Sequence, residues 1–60
     1  MIKSKYVGRK LMGFEYIDDQ GTQKNYEFAK SPYEIDLTKS KEENIQAVLT
    51  IINEILKQLV

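Results

Sequence analysis

Polar and apolar residues alternate with period two between positions 11 and 29, and with helical period between 45 and 59. The first stretch predicts strands over Leu11–Ile17 and Thr22–Ala29. The link Asp18-Asp19-Gln20-Gly21 suits a type I turn closed by Gly21 in the left-handed conformation, a three-residue bulged hairpin loop. That loop sets the register. Asp18 should face Thr22, Tyr16 should face Lys24, Phe14 should face Tyr26, and Met12 should face Phe28. One face then carries Met12, Phe14, Tyr16, Tyr26 and Phe28. The other carries Gly13, Glu15, Gln23, Asn25 and Glu27, with Leu11, Ile17 and Ala29 as its apolar members. A greasy face backed by a polar one describes a half-buried antiparallel sheet.

Ser31-Pro32 interrupts the pattern, and Tyr33-Glu34-Ile35-Asp36-Leu37 then alternates strictly, which predicts a short third strand with Tyr33, Ile35 and Leu37 on one side. Upstream, Lys5–Arg9 either extends the first strand or forms a short strand of its own. The apolar parity shifts between Val7 and Met12, so a bulge or bend is expected near Gly8. The helix is expected over 40–60. Ser40 and Glu43 have the spacing of a capping box, with Thr38 the rival cap, and Glu42 and Glu43 sit at the positive end of the helix dipole. Ile45, Val48, Leu49, Ile52, Ile55, Leu56 and Leu59 share one stripe, and Ile51 widens it. The predicted fold is α+β. A three-stranded antiparallel sheet spans residues 1–37, and a long C-terminal amphipathic helix packs on its apolar face, within one domain of 60 residues.

Sixty residues bury only about 60% of the surface their unfolded chain exposes. Small domains add disulfides, metals or oligomerisation. With no cysteine and no histidine, oligomerisation is the staple left open, and a homodimer is expected. The helix supplies more apolar surface than a small sheet needs. Its flank at Ile51 and Leu56, together with the loosely placed Tyr6 and Tyr33, is the candidate partner contact. The lack of cysteine fits a reducing cytoplasm. Met1-Ile2-Lys3-Ser4-Lys5 is not followed by an apolar run, so no signal peptide is expected, and no apolar stretch is long enough for a membrane span.

Nine basic and nine acidic residues cancel, but the first half is net +2 and the second net −2. The first ten residues are purely basic, through Lys3, Lys5, Arg9 and Lys10. These are the candidate nucleic-acid contacts, weighed against a solvated strand edge. The aromatic face, with Lys10, Lys24 and Lys30 in range, could stack bases, but the helix needs the same face and core is preferred. Without His or Cys, acid–base and thiol chemistry lose their usual carriers. Ser4 and Ser31 lack a plausible base. The pair Asp18-Asp19 is better explained by turn bonding than by a cation, which would need more oxygen ligands at set spacing. No enzyme activity, metal or cofactor is expected.

The run Asp18-Asp19-Gln20-Gly21-Thr22-Gln23 followed by Tyr26-Glu27-Phe28 resembles the hairpin of small phage-encoded inhibitors of uracil-DNA glycosylase. Those are dimers of about this size that mimic DNA. They are acidic, whereas this chain is neutral with a basic start. Three strands followed by a helix is also similar to the arm-binding domain of phage-type integrases, which reads DNA with its sheet. The Lys-, Ile- and Asn-rich style looks like that of a phage or mobile-element accessory protein. The resemblances imply a non-enzymatic binding protein in the bacterial cytoplasm that inhibits or modulates a host or defence protein. The alternative is a small DNA-binding accessory factor.

Overall fold

The computed structural model describes residues 2–59. Its elements are β1 (Lys3–Val7), β2 (Lys10–Ile17), β3 (Gln23–Glu27) and α1 (Lys41–Leu59). The strands form an antiparallel meander in the order β1-β2-β3, so β2 is central. The helix covers one face, giving two layers around one core. The class is α+β, with three antiparallel strands and one C-terminal helix. Met1 and Val60, the outer ends of the expected sheet region and helix, lie outside the described residues.

Local chemistry explains the second hairpin. Phe14 pairs with Tyr26 and Tyr16 with Lys24, in the register that the loop dictates. The ladder closes with Asp18 N–H donating to the Thr22 carbonyl at 3.0 Å, and Phe28 N–H reaches the Met12 carbonyl at 2.9 Å. Gly21 sits at φ +81°, and its N–H reaches the Asp18 carbonyl at 3.0 Å. The Asp18 carboxylate accepts from the N–H groups of Gln20 and Thr22, at 3.0 and 2.8 Å, and so fixes the turn.

The third strand is not the expected Tyr33–Leu37 but the N-terminal Lys3–Val7. Gly8 and Arg9 alone link β1 to β2, and Gly8 adopts φ +62°. A positive φ at the first position of a two-residue loop matches the right-handed twist of the strands. Residues 33–35 cannot take an edge of their own. They lie on the side of β2 that β3 already occupies. After Phe28 the chain loops out over residues 29–32 and returns to pair Glu34 with Lys10. Leu11 N–H then donates to the Tyr33 carbonyl at 2.9 Å, and Ile35 N–H to the Arg9 carbonyl at 2.8 Å. The segment therefore continues the line of β3 for one bridge and stops. Leu37, expected on its apolar side, is 72% exposed.

The parity shift is a bulge in β2. Lys5 faces Gly13 while Tyr6 faces Leu11, which leaves Met12 as the extra residue. The irregularity expected near Gly8 is thus split between a turn at Gly8 and a bulge four residues on. One extra residue reverses the alternation. Leu11, expected on the polar face, joins Phe14, Val48 and Ile52 as the fully buried core. Ile2, Tyr16, Tyr26, Phe28, Tyr33, Ile55 and Leu56 pack around them. Phe14 is ringed by aromatics, with Tyr26 stacked at 5.2 Å, Tyr16 at 5.7 Å and Phe28 at 6.1 Å between centroids.

Just beyond the bulge, a Cβ on Gly13 would lie 2.5 Å from the Tyr26 carbonyl oxygen. A backbone atom in a paired strand cannot retreat cheaply. Gly13→Ala should therefore destabilise the fold by about 1–3 kcal/mol, the usual scale for overpacking. Urea denaturation checks this, and a variant as stable as the unmodified chain would show that β3 yields freely at this point.

The helix start is a reciprocal cap. Glu43 N–H donates to the Ser40 hydroxyl oxygen at 3.1 Å, and Ser40 N–H donates to the Glu43 carboxylate at 3.0 Å. The Ser40 backbone and side chain hold the Glu43 carboxyl below its ordinary value. The Thr38 hydroxyl, then its N–H, do the same for Asp36. A carboxylate lowered in the folded state binds fewer protons there than in the unfolded chain. Its stabilisation is complete above the ordinary carboxylate value and disappears as pH falls through the lowered one. Thermal stability should therefore decline on acidification through that window. Ser40→Ala, which keeps the backbone N–H donor to Glu43, should cost about 1 kcal/mol at neutral pH, whereas Glu43→Gln removes the titrating group and should flatten the decline. An acid profile identical in Glu43→Gln and the unmodified chain would rule out the cap as its source.

Candidate functional site

Of the residues weighed for chemistry, Asp18 and Ser31 are structurally employed. The Asp18 carboxylate is bonded into its turn, with Lys24 Nζ 3.9 Å away. Among the described residues no group of three or more Asp or Glu side chains converges as a metal site would. The aromatic face that could have stacked bases is covered by α1.

Among the described residues one polar side chain is buried, and sequence reasoning missed it. Asn44, in the first turns of α1, is 5% exposed and fully satisfied. Its carbonyl oxygen accepts from the Tyr33 hydroxyl and, at 2.9 Å, from Asp36 N–H. Its amide donates to the carbonyls of Asp36 and Ser40, both at 3.0 Å. The side chain therefore ties the Tyr33–Ser40 connection to the helix. The sequence signal was its place four residues before Val48 and eight before Ile52, on the buried line of the helix.

The candidate partner residues do not form one patch. Tyr33 is half-buried, packed on the core and bonded to Asn44. Ile51 and Leu56 are both half-buried but lie about 140° apart around the helix, on opposite flanks of the core line. Leu56 packs on the core and lines a groove with Ile2, Tyr16 and Leu59. The groove, about 880 Å³, opens between the end of α1 and the β2–β3 loop, with Asn53 and Lys57 on its helix rim. Ile45 and Leu59 were expected to cover the sheet. They are instead 43% and 49% exposed.

Tyr6 is 42% exposed on β1, beside Val7 at 70%. β1 is an edge strand, and none of the described residues pairs with its outer side. Register shows which groups face outward. Met12 and Leu11 of β2, and Asp18 just after it, bond towards the β3 side, so Ser4 and Tyr6, which face Phe14 and Leu11, point their backbone N–H and C=O away from the sheet. Of the candidate cations, Lys3, Lys5 and Lys10 share the face of the sheet that α1 leaves open, by strand alternation and the Val7–Lys10 pair. None of the three forms an ion pair among the described residues, whereas Arg9 in the turn sits 3.8 Å from Glu34.

Compared with known protein families, curated proteins and solved structures, the chain matches none. No described helix is long and apolar enough to cross a membrane.

Proposed function

We propose that the protein works by contact alone: a small non-enzymatic binding protein, of phage or mobile-element kind, that inhibits or modulates a host or defence protein in the bacterial cytoplasm, acting as a homodimer. The open edge of β1 carries the reading. It offers the outward backbone groups of Ser4 and Tyr6 to an extended segment of the target, as in strand addition. Tyr6 and Val7 supply apolar contact at that edge. Lys3 and Lys5 favour an acidic target segment, and their like charge discourages two β1 edges from pairing with each other.

Affinity capture from a bacterial lysate tests this, using Ser4→Pro as the control. Proline removes one outward N–H and is tolerated on an edge strand. A single protein should be retained by the unmodified chain, and its retention should be lost with Ser4→Pro while the circular dichroism spectrum persists. Equal capture by both would overturn strand addition.

The second reading, a DNA-binding accessory factor, is favoured by one observation: Lys3, Lys5 and Lys10 are gathered on the uncovered face of the sheet. Salt separates the two. Binding through phosphates weakens steeply as salt rises, whereas strand addition, held by backbone bonds and apolar contact, should lose only the modest contribution of Lys3 and Lys5.

A further inference from the structure

Resting on the self-association in that reading, we infer that the dimer forms through one flank of α1, with Ile45, Leu49, Leu56 and Leu59 packed antiparallel against the same residues of a second copy. The helix buries fully only the line through Asn44, Val48 and Ile52, while Ile55 and Leu56 pack against the core in part. Ile45, Leu49 and Leu56 fall within about 40° of one another and roughly 80° away from Val48. Leu59 ends this row beyond the part of the helix that the core covers. Ile45 and Leu59 are exposed, and Leu49 and Leu56 are half-buried. With the buried Ile52 between them, the five residues keep the alternating four-and-three spacing of a coiled-coil seam.

Three observations make the occupant a second copy. The row is nearly palindromic, so in an antiparallel pair Leu49 meets Leu56 of the other copy and Ile45 meets Leu59. A two-fold interface requires such a self-complementary patch. Charge does not oppose it. The chain is neutral, the helix rim beside the row carries Gln46, Asn53 and Glu42, of which Glu42 lies beyond the end of the antiparallel row, and Lys57 is paired within its own chain with Glu54 at 3.4 Å. The chain also has surface to spare. It exposes 4692 Å², whereas a compact monomer of 7.0 kDa exposes about 4,000 Å². Pairing also lays the second helix along the groove lined by Leu56 and Leu59.

Sedimentation equilibrium at micromolar concentration tests the inference with the unmodified chain, Ile45→Glu, Leu59→Lys, the double variant and Ile51→Glu. The expected result is twice the chain mass for the unmodified protein and for Ile51→Glu, on the opposite flank. Each single variant in the row should give the chain mass with an unchanged circular dichroism spectrum. The double variant should recover the dimer, because the substituted positions meet as opposite charges across the two-fold. If Ile45→Glu fails to fold, Leu59→Lys in the last turn still reads the interface. A monomeric unmodified chain would overturn both this surface and the homodimer. A dimer indifferent to the row variants, or split equally by Ile51→Glu, would overturn the surface alone and leave self-association standing.

Discussion

Phe14→Ala should leave most of the chain unfolded in water. Phe14 is fully buried at the centre of β2 and touches three further aromatic rings. Val48 and Ile52 of α1 belong to the same buried cluster. Truncating a buried phenylalanine costs about 3–5 kcal/mol, partly as lost transfer energy and partly as a cavity. A single core below about 70 residues rarely supplies more than about 3–5 kcal/mol in total. The two figures meet, so the variant should show little of its far-ultraviolet circular dichroism and no cooperative urea transition. Tyr16→Ala removes a half-buried ring at the mouth of the groove and should cost less. A cooperative Phe14→Ala transition at the original urea midpoint would mean that the aromatic face is not under the helix.

Asn44→Leu should destabilise nearly as much, for a different reason. Leucine has similar bulk and suits a helix, so propensity and packing hardly change. What changes is hydrogen bonding. The Tyr33 hydroxyl loses its acceptor, Asp36 N–H loses its own, and the Asp36 carbonyl loses a donor. The Ser40 carbonyl keeps the helical bond from Asn44 N–H at 3.1 Å. An orphaned buried polar group costs about 1–3 kcal/mol. Some of these groups can turn to water, so the expected loss is about 3 kcal/mol. Tyr33→Phe removes one bond of the set and should cost about 1 kcal/mol. Thermal melting reads the loss, and amide exchange at Asp36 should accelerate because its acceptor is gone. An Asn44→Leu protein that melts no lower, with Asp36 exchange unchanged, would show that the Tyr33–Ser40 connection is held by something else.

The two positions differ in how visible they were. Phe14 sits in a run whose period and turn place it on the apolar face of a strand, and a local loop sets its partner. Asn44 is a polar residue in an acidic, polar helix start, and its four partners come from the loop before the helix and from its own first turn. Spacing from Val48 and Ile52 puts it on the buried line, but neither spacing nor propensity says that a polar residue there is satisfied mostly by backbone groups of an irregular segment. The same division holds on the surface. The basic residues of β1 were visible as a cluster, but the face they share depends on the register with β2. The width of the apolar helix stripe was visible too. Which flank stays uncovered was not, because it depends on how α1 rolls on the sheet. Ile51 and Leu56 were expected on one flank and lie on two, while Ile45 and Leu59 emerge as the exposed members.

By itself the sequence determined every element whose information is local. The β2–β3 register follows from the loop at Asp18–Gly21, the helix start from Ser40 and Glu43, and the two-layer α+β class from a change of period along the chain. The tertiary structure decided whatever required segments to compete for one place. β2 has two edges. Lys3–Val7 took one through the Gly8-Arg9 turn, and Gln23–Glu27 took the other, so residues 33–35 found only the end of an occupied edge. One bulged residue, Met12, then turned Leu11 from the open face into the core. A strand's alternation says which residues share a face only if no residue is inserted, and only pairing with a neighbour reveals the insertion.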